Sequence, residues 1–195
     1  SCNAPSRMLV QSSVYDQAVK IAKQAAESVV VDQPTSQGGH IGPLSSRVQF
    51  EKVQGLIEKG ISEGATLVAG GLGKPEGFDS GYFVKPTVFA GVNNQMTIAQ
   101  EEIFGPVLAM IPFDTEEQAI EIANDTPYGL AAYFSTSNAE RARRVGSQLR
   151  AGMVSVNSAS QDYAAPFGGY KQSGNGREWG EFGFDDYLEI KGITS

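Results

Sequence analysis

"PVLAMIPFDTEEQAIEIAND", Pro106 to Asp125, changes its pattern halfway along. Pro106 to Phe113 is almost continuously apolar, as expected of a strand covered on both faces of a sheet. Asp114 to Asp125 reads as a helix capped by Asp114 or Thr115. A buried strand feeding a helix is the repeating unit of a layered α/β fold, and the same alternation continues in both directions. Downstream come the strand "AAYFST", the helix "NAERARRVGSQLR" and the strand "GMVSVN".

Upstream, "RMLVQ" reads as a strand. "SSVYDQAVKIAKQAAESVVV" follows as a helix, with a serine cap at Ser12 or Ser13 and a stripe of Val14, Ala18, Ile21, Ala22 and Ala25. "QPTSQGGHIGPLSS" is a Gly/Pro/Ser loop that ends in a second serine cap. The helix behind it carries Val48, Val53, Leu56, Ile57 and Ile61 at helical spacing. "TLVAGG" is a short strand, and "YFVKPTVFAGV" is extended, with Pro86 favouring an edge or irregular position. The expected fold is α/β, a largely parallel sheet with helices on both faces. The tail from Pro166, rich in glycine and aromatic residues, fits no regular helix.

Composition narrows the function. The chain has 195 residues, 41% hydrophobic and 19% charged, enough for a sizeable globular core. A net charge of -7 and no dominant basic cluster leave nothing to neutralise phosphates, so nucleic acid is discounted as a partner. No apolar run approaches a membrane span. One cysteine and one histidine cannot build an ordinary structural zinc site or an internal disulfide, which points to a reducing, cytoplasmic setting. Neither a dinucleotide fingerprint nor a phosphate loop is present, and "GGLGKPEG" reads as a turn.

Four places are candidates for chemistry. Cys2 is a lone thiol, and lone cysteines are more often packing residues than nucleophiles. His40 sits in a glycine loop with no hydrolase signature around it or Cys2, and reads as a solvated histidine. "QEEIFGPV", Gln100 to Val107, is either a polar turn with one buried Phe or a carboxylate and a ring presented at a strand mouth. "APFGGYKQSGNGRE", Ala165 to Glu178, is either a mobile surface loop or a backbone that approaches a ligand closely. Residue types alone leave both pairs of readings open.

Taken together, these segments resemble the aldehyde dehydrogenase superfamily over essentially the whole chain. "SCNAPSRMLV" is similar to the stretch holding the family's catalytic cysteine. "GPLSSRVQFEKVQGLIEKGISEGATLVAGG", "GYFVKPTVF", "QEEIFGPVL", "ANDTPYGLAAYFST", "GMVSVN" and "PFGGYKQSGNGREWGEFG" follow in the family's order. The resemblance implies that Cys2 is the nucleophile, forming a thiohemiacetal and then a thioester on the way from aldehyde to carboxylic acid. It implies that Glu102 binds the nicotinamide-side ribose of NAD or NADP and that Phe104 lies beside the nicotinamide. It places Phe167 in the aldehyde tunnel and Glu178 in a proton relay, makes Arg177 and Glu189 structural near a subunit contact, and puts "SASQDYAA" where substrate pockets vary.

The resemblance further implies a thiol-bearing catalytic domain over 1–185, with 186–195 the truncated strand of an oligomerisation region. The Rossmann-like cofactor domain, the general-base glutamate and the oxyanion-binding asparagine are expected to lie outside this chain. The expected parent is an NAD(P)-dependent, homo-oligomeric enzyme, dimer or tetramer, acting on a small-molecule aldehyde, and the chain alone is expected to be inactive. The alternatives are a coenzyme A-acylating or acyl-phosphate relative, a non-catalytic assembly module, and residual thiol esterase action at Cys2.

Overall fold

The computed structural model describes residues 1–195, which divide into two compact units. One comprises Ser1 and Ser6–Ala119; the other comprises Cys2–Pro5 and Ile120–Ser195.

The first unit contains β1 (Arg7–Gln11), α1 (Tyr15–Ser28), α2 (Arg47–Ser62), β2 (Thr66–Ala69), β3 (Thr87–Ala90), α3 (Thr97–Gln100) and β4 (Val107–Phe113). Its sheet has the order β1-β4-β3-β2. Strand β4 pairs in parallel with β1, from Arg7↔Ala109 to Gln11↔Phe113, and with β3, from Thr87↔Val107 to Phe89↔Ala109. Strand β2 joins β3 antiparallel, with a register shift between Leu67 and Ala69. The apolar run that opened the sequence reading is therefore an interior strand, with Val107, Ala109, Met110 and Ile111 buried. Pro112, which cannot donate to a ladder, falls near its exposed end.

Helices cover both faces. Val10, Ala69, Val88 and Met110 form a cluster beneath Tyr15, Ala18, Val19, Ala22 and Ala26 of α1. Phe89, next along β3, points the other way and packs near α2, where a Cβ on Gly60 would lie 3.3 Å from its ring and 3.0 Å from Ile98 of α3.

The packed faces differ from the expected stripes. On α1, Tyr15, Val19 and Ala26 face the sheet, while Val14 and Ile21 are exposed. The Tyr15 hydroxyl donates to the Met110 carbonyl at 2.8 Å and accepts from Gly91 N–H at 2.7 Å, which orients the helix. Partial burial raises the Tyr15 pKa, opposed by the Gly91 hydrogen bond. Neither Ser12 nor Ser13 caps α1: residues Ser12–Val14 form a 3-10 turn, and Ser12 Oγ donates to Phe113 O at 3.1 Å. The helix stops at Ser28 because the β-branched run Val29 to Val31 is extended, with Val31 bridging Ile41.

Ser46 does cap α2, accepting from Gln49 N–H at 3.2 Å. Its buried face is Val53, Ile57 and Gly60. Val48 is 76% exposed, since five residues before Val53 is about 140° away around a helix of 3.6 residues per turn. Ile61 is likewise outside that face.

Helix α4 (Glu116–Asn124) begins with Thr115 Oγ1 accepting from Gln118 N–H at 3.2 Å, while Gln118 Oε1 accepts from Asp114 N–H at 2.7 Å. Thr115 thus caps it in a reciprocal arrangement. The second unit holds β5 (Ala131–Phe134), α5 (Ala139–Gln148), β6 (Met153–Val156) and α6 (Gly180–Phe184). Strands β5 and β6 pair in parallel around α5, whose N-cap Asn138 accepts from Arg141 N–H at 2.9 Å. The six strands therefore form two sheets, of four and two. The tail departs from the sequence reading in the five-residue α6 and in two 3-10 turns, Lys171–Ser173 and Asp185–Tyr187. No helix is long and apolar enough to cross a membrane.

Candidate active site

In the first unit, the loop from Glu101 to Gly105 presents two of the singled-out residues. Ile103 is 1% exposed and anchors the loop in the core. Glu102 and Phe104 are exposed, Phe104 at 49%. The buried-Phe turn is thereby excluded: the residue that goes inside is Ile103, and the ring beside it is displayed.

This display is held from α2. Phe104 has φ +53°, a left-handed conformation that costs a non-glycine residue about 1–2 kcal/mol. Gln49 Nε2 donates to the carbonyls of both Ile103 and Phe104, each at 3.0 Å. Lys52 Nζ donates to the Glu102 carbonyl at 2.6 Å. Gly105 lies against α2 so closely that a Cβ would sit 2.7 Å from Val53 Cγ2. The preceding α3 is tied to α2 as well, with Thr97 N–H and Oγ1 both donating to the Glu63 carboxylate at 2.7 Å. Those two hydrogen bonds, with Lys59 Nζ 3.3 Å away, hold the Glu63 carboxyl below the usual carboxylate range.

The other singled-out residues belong to the second unit. Cys2 is an exposed, free thiol. The carbonyl of its neighbour Asn3 accepts from the Tyr133 hydroxyl at 2.8 Å. Phe167 and Glu178 face each other as an antiparallel bridge, with Phe167 N–H to Glu178 O at 2.7 Å and Glu178 N–H to Phe167 O at 2.8 Å. The Phe167 ring packs on Trp179 at 4.9 Å, and Trp179 meets Tyr163 at 4.9 Å. The Glu178 side chain is exposed.

The segment between Phe167 and Glu178 is a heavily bonded turn. Arg177 Nη1 donates to the carbonyls of Gly169, Asn175 and Gly176 at 2.9, 3.1 and 2.9 Å. Arg150 and Arg177 lie over the Tyr170 ring at 5.6 and 5.5 Å. Lys171 Nζ donates to Asn124 O and Thr126 O, and Ser173 Oγ accepts from Gly129 N–H. Its glycines serve close packing: a Cβ on Gly152 would overlap the Gly168 carbonyl, and one on Gly168 would overlap the Gly176 carbonyl. Within the chain, Arg177 braces this turn.

His40 lies in its loop, with Nδ1 3.2 Å from Gly38 O. No group of three or more His, Cys, Asp or Glu side chains could hold a metal ion. Sequence reasoning did not find Gln49, Tyr133 or Trp179. At Gln49 the visible signal was misleading, because Ser followed three residues later by Gln resembles a capping box. The Gln49 side chain instead turns away to the loop.

Comparison with known proteins places these features in context. The profile described as "Aldehyde dehydrogenase family" matches residues 1–193. A 3-succinoylsemialdehyde-pyridine dehydrogenase from Pseudomonas sp. is 55% identical over 193 residues, covering 99% of this chain and 40% of the relative. A putative aldehyde dehydrogenase from Staphylococcus epidermidis is 48% identical, covering 99% of this chain and 41% of the relative. Among solved structures, an aldehyde dehydrogenase from Bartonella henselae superposes with a TM-score of 0.95 at 50% identity, over 97% of this chain and 40% of that one. A mutant of aldehyde dehydrogenase C from Pseudomonas syringae, complexed with NAD+ and octanal, gives 0.94 at 48% identity over 97% of this chain and 39% of that one. The chain thus spans 40% and 41% of the length of these two curated relatives.

Proposed function

Because the chain belongs to the aldehyde dehydrogenase family, we propose that it is the thiol-bearing portion of an enzyme that oxidises an aldehyde to a carboxylic acid with NAD or NADP. The single observation that carries this reading is the exposed free thiol at Cys2, in a chain matched to the family from its first residue to 193.

Cys2 Sγ, as thiolate, adds to the aldehyde carbonyl carbon and forms a C–S bond, giving a thiohemiacetal. After oxidation that bond is a thioester. Water then adds to its carbonyl, the C–S bond breaks, and the acid leaves as the thiol is restored. Phe167, backed by Trp179 and Tyr163, offers an apolar aromatic wall to the organic part of the aldehyde. Glu178, paired backbone to backbone with Phe167, supplies an exposed carboxylate that passes protons near this wall.

The residues present fit one end of the cofactor. An exposed carboxylate and a half-exposed ring two residues apart match a sugar diol and a flat heterocycle, so Glu102 takes the ribose hydroxyls and Phe104 the nicotinamide. When bound, NAD or NADP supplies the hydride acceptor that the oxidation requires. The Pseudomonas syringae relative was crystallised with NAD+ and octanal, which supports an apolar aldehyde and a nicotinamide cofactor. In the whole protein, 186–195 serves assembly into a dimer or tetramer. The exposure of Tyr187, Leu188, Ile190 and Ile193 supports that role, because large apolar side chains in a contiguous segment favour a partner.

The chain on its own lacks dehydrogenase turnover, since it offers contacts to only the nicotinamide end of the cofactor. Two measurements test these statements. Native chain treated with iodoacetamide should acquire a single adduct at Cys2 by mass spectrometry; an unreactive Cys2 overturns the nucleophile. Aldehyde-dependent NADH formation by the chain should be absent; turnover comparable to that of an intact family member overturns the claim that it is incomplete.

A further inference from the structure

We propose that Gln49 is a positioning residue: its side-chain amide locks Phe104 in the left-handed conformation that displays the ring. The link to cofactor rests on the reading of Glu102 and Phe104 given above.

A primary amide nitrogen carries two hydrogens, one for each acceptor. In an extended segment successive carbonyls point to opposite sides, so a single nitrogen cannot reach both. Gln49 Nε2 nevertheless lies 3.0 Å from Ile103 O and 3.0 Å from Phe104 O. That is met only if residue 104 adopts a helical-type turn bringing the two carbonyls to one side, and its φ of +53° does so. The flanks choose the left-handed form. Ile103 is held in the core at 1% exposure, and Gly105 is pressed against Val53, so the chain must reverse within one residue and throw the Phe104 ring outward.

Gln49 is itself fixed. It lies in the first turn of α2, with its own N–H capped by Ser46 Oγ at 3.2 Å. A glutamine in this position can fold back to cap the helix start; here it forgoes that contact. Asparagine is one methylene too short, glutamate has no donor when ionised, and methionine keeps the length without any N–H. The Lys52 bond to Glu102 O lies one peptide earlier and does not constrain residue 104.

The test uses the chain as it stands and the variants Gln49→Met and Gln49→Glu, the second serving if the first fails to fold. NMR reports the Phe104 conformation through its Cα and Cβ shifts and its HN–Hα coupling, while shifts in α2 and β4 report the fold. The ratio of left-handed to other conformers at Phe104 should fall on the order of tenfold, because such a residue is intrinsically disfavoured by about that factor. A Phe104 that stays left-handed in either folded variant overturns the proposal. Nicotinamide mononucleotide titrated into the native chain should move the Glu102 and Phe104 amides, with apparent affinity weaker in the variant by the factor through which the competent fraction falls, about twofold to fivefold. No response from the native chain sinks the cofactor reading alone, whereas equal affinity in native and variant chains overturns the role of Gln49.

Discussion

Arg177→Ala should destabilise the second unit by an amount the structure allows us to work out. One nitrogen, Nη1, approaches three carbonyls, but its two hydrogens cannot make three full bonds. The carbonyls of Asn175 and Gly176 lie at exposed positions and regain water when the guanidinium goes. Gly169 is buried, so its carbonyl loses a charge-assisted partner, worth about 1.5–3 kcal/mol. The guanidinium face over Tyr170 adds about 0.5–1 kcal/mol. The total is about 2–4 kcal/mol. The assay is built in, since Trp179 is the only tryptophan and packs against Phe167 and Tyr163 in the same unit. Urea denaturation followed by its fluorescence should show the midpoint fall by about 0.7–4 M, given slopes of about 1–3 kcal/mol per molar. Arg177→Lys should recover only part of this, because an ammonium lacks the planar fork and stacking face. A midpoint unchanged in Arg177→Ala would refute the idea that this residue holds the glycine turn together.

Glu63 should contribute an acid-labile component to stability. Its folded pKa is depressed, so its contribution is present above the unfolded value of 4.5 and lost as pH falls through the folded value. Melts of native and Glu63→Gln chains should therefore differ at neutral pH and draw together as pH falls below 4.5; a constant difference would rule this out. Gly105→Ala should cost about 1–3 kcal/mol by overpacking against Val53, which is fully buried on α2. Adding Val53→Ala should make the Gly105→Ala step cheaper, measured as a double-mutant cycle; simple additivity would show that the contact is not the cause. Gly152→Ala opposes a backbone carbonyl rather than a side chain, so it should fold worse than Gly105→Ala by circular dichroism and yield of folded protein.

Periodicity placed the six strands and the helices α1, α2, α4 and α5, whereas the single-turn α3 and the five-residue α6 are too short to show a period. The apolar run at Val107–Phe113 could only be satisfied by cover on both faces, and it became the interior strand β4. Short polar caps with local partners were also legible, as at Ser46 and Thr115. The family motifs identified Cys2, Glu102, Phe104, Phe167 and Glu178 as residues to examine. What the letters could not convey was long-range. Tyr15 turns α1 through bonds to Met110 and Gly91, 95 and 76 residues away in sequence, so the stripe judged from α1 alone was rotated.

The same holds at the loop. "EEIFGP" read in isolation is compatible with either Ile103 or Phe104 inside, because one peptide turn exchanges them. Ile103 is the one buried, and the contacts that accompany this come from Gln49 and Val53 of α2. The letters of "PFGGYKQSG" gave no hint that Gly152 would press against Gly168, or that Lys171 would donate to the carbonyls of Asn124 and Thr126. Sequence by itself determined the identity of the elements and the chemistry on offer, since both follow from residue type and local spacing. Tertiary structure alone decided which face turns inward and which ring is shown to solvent, since those depend on partners that only folding brings within hydrogen-bond reach.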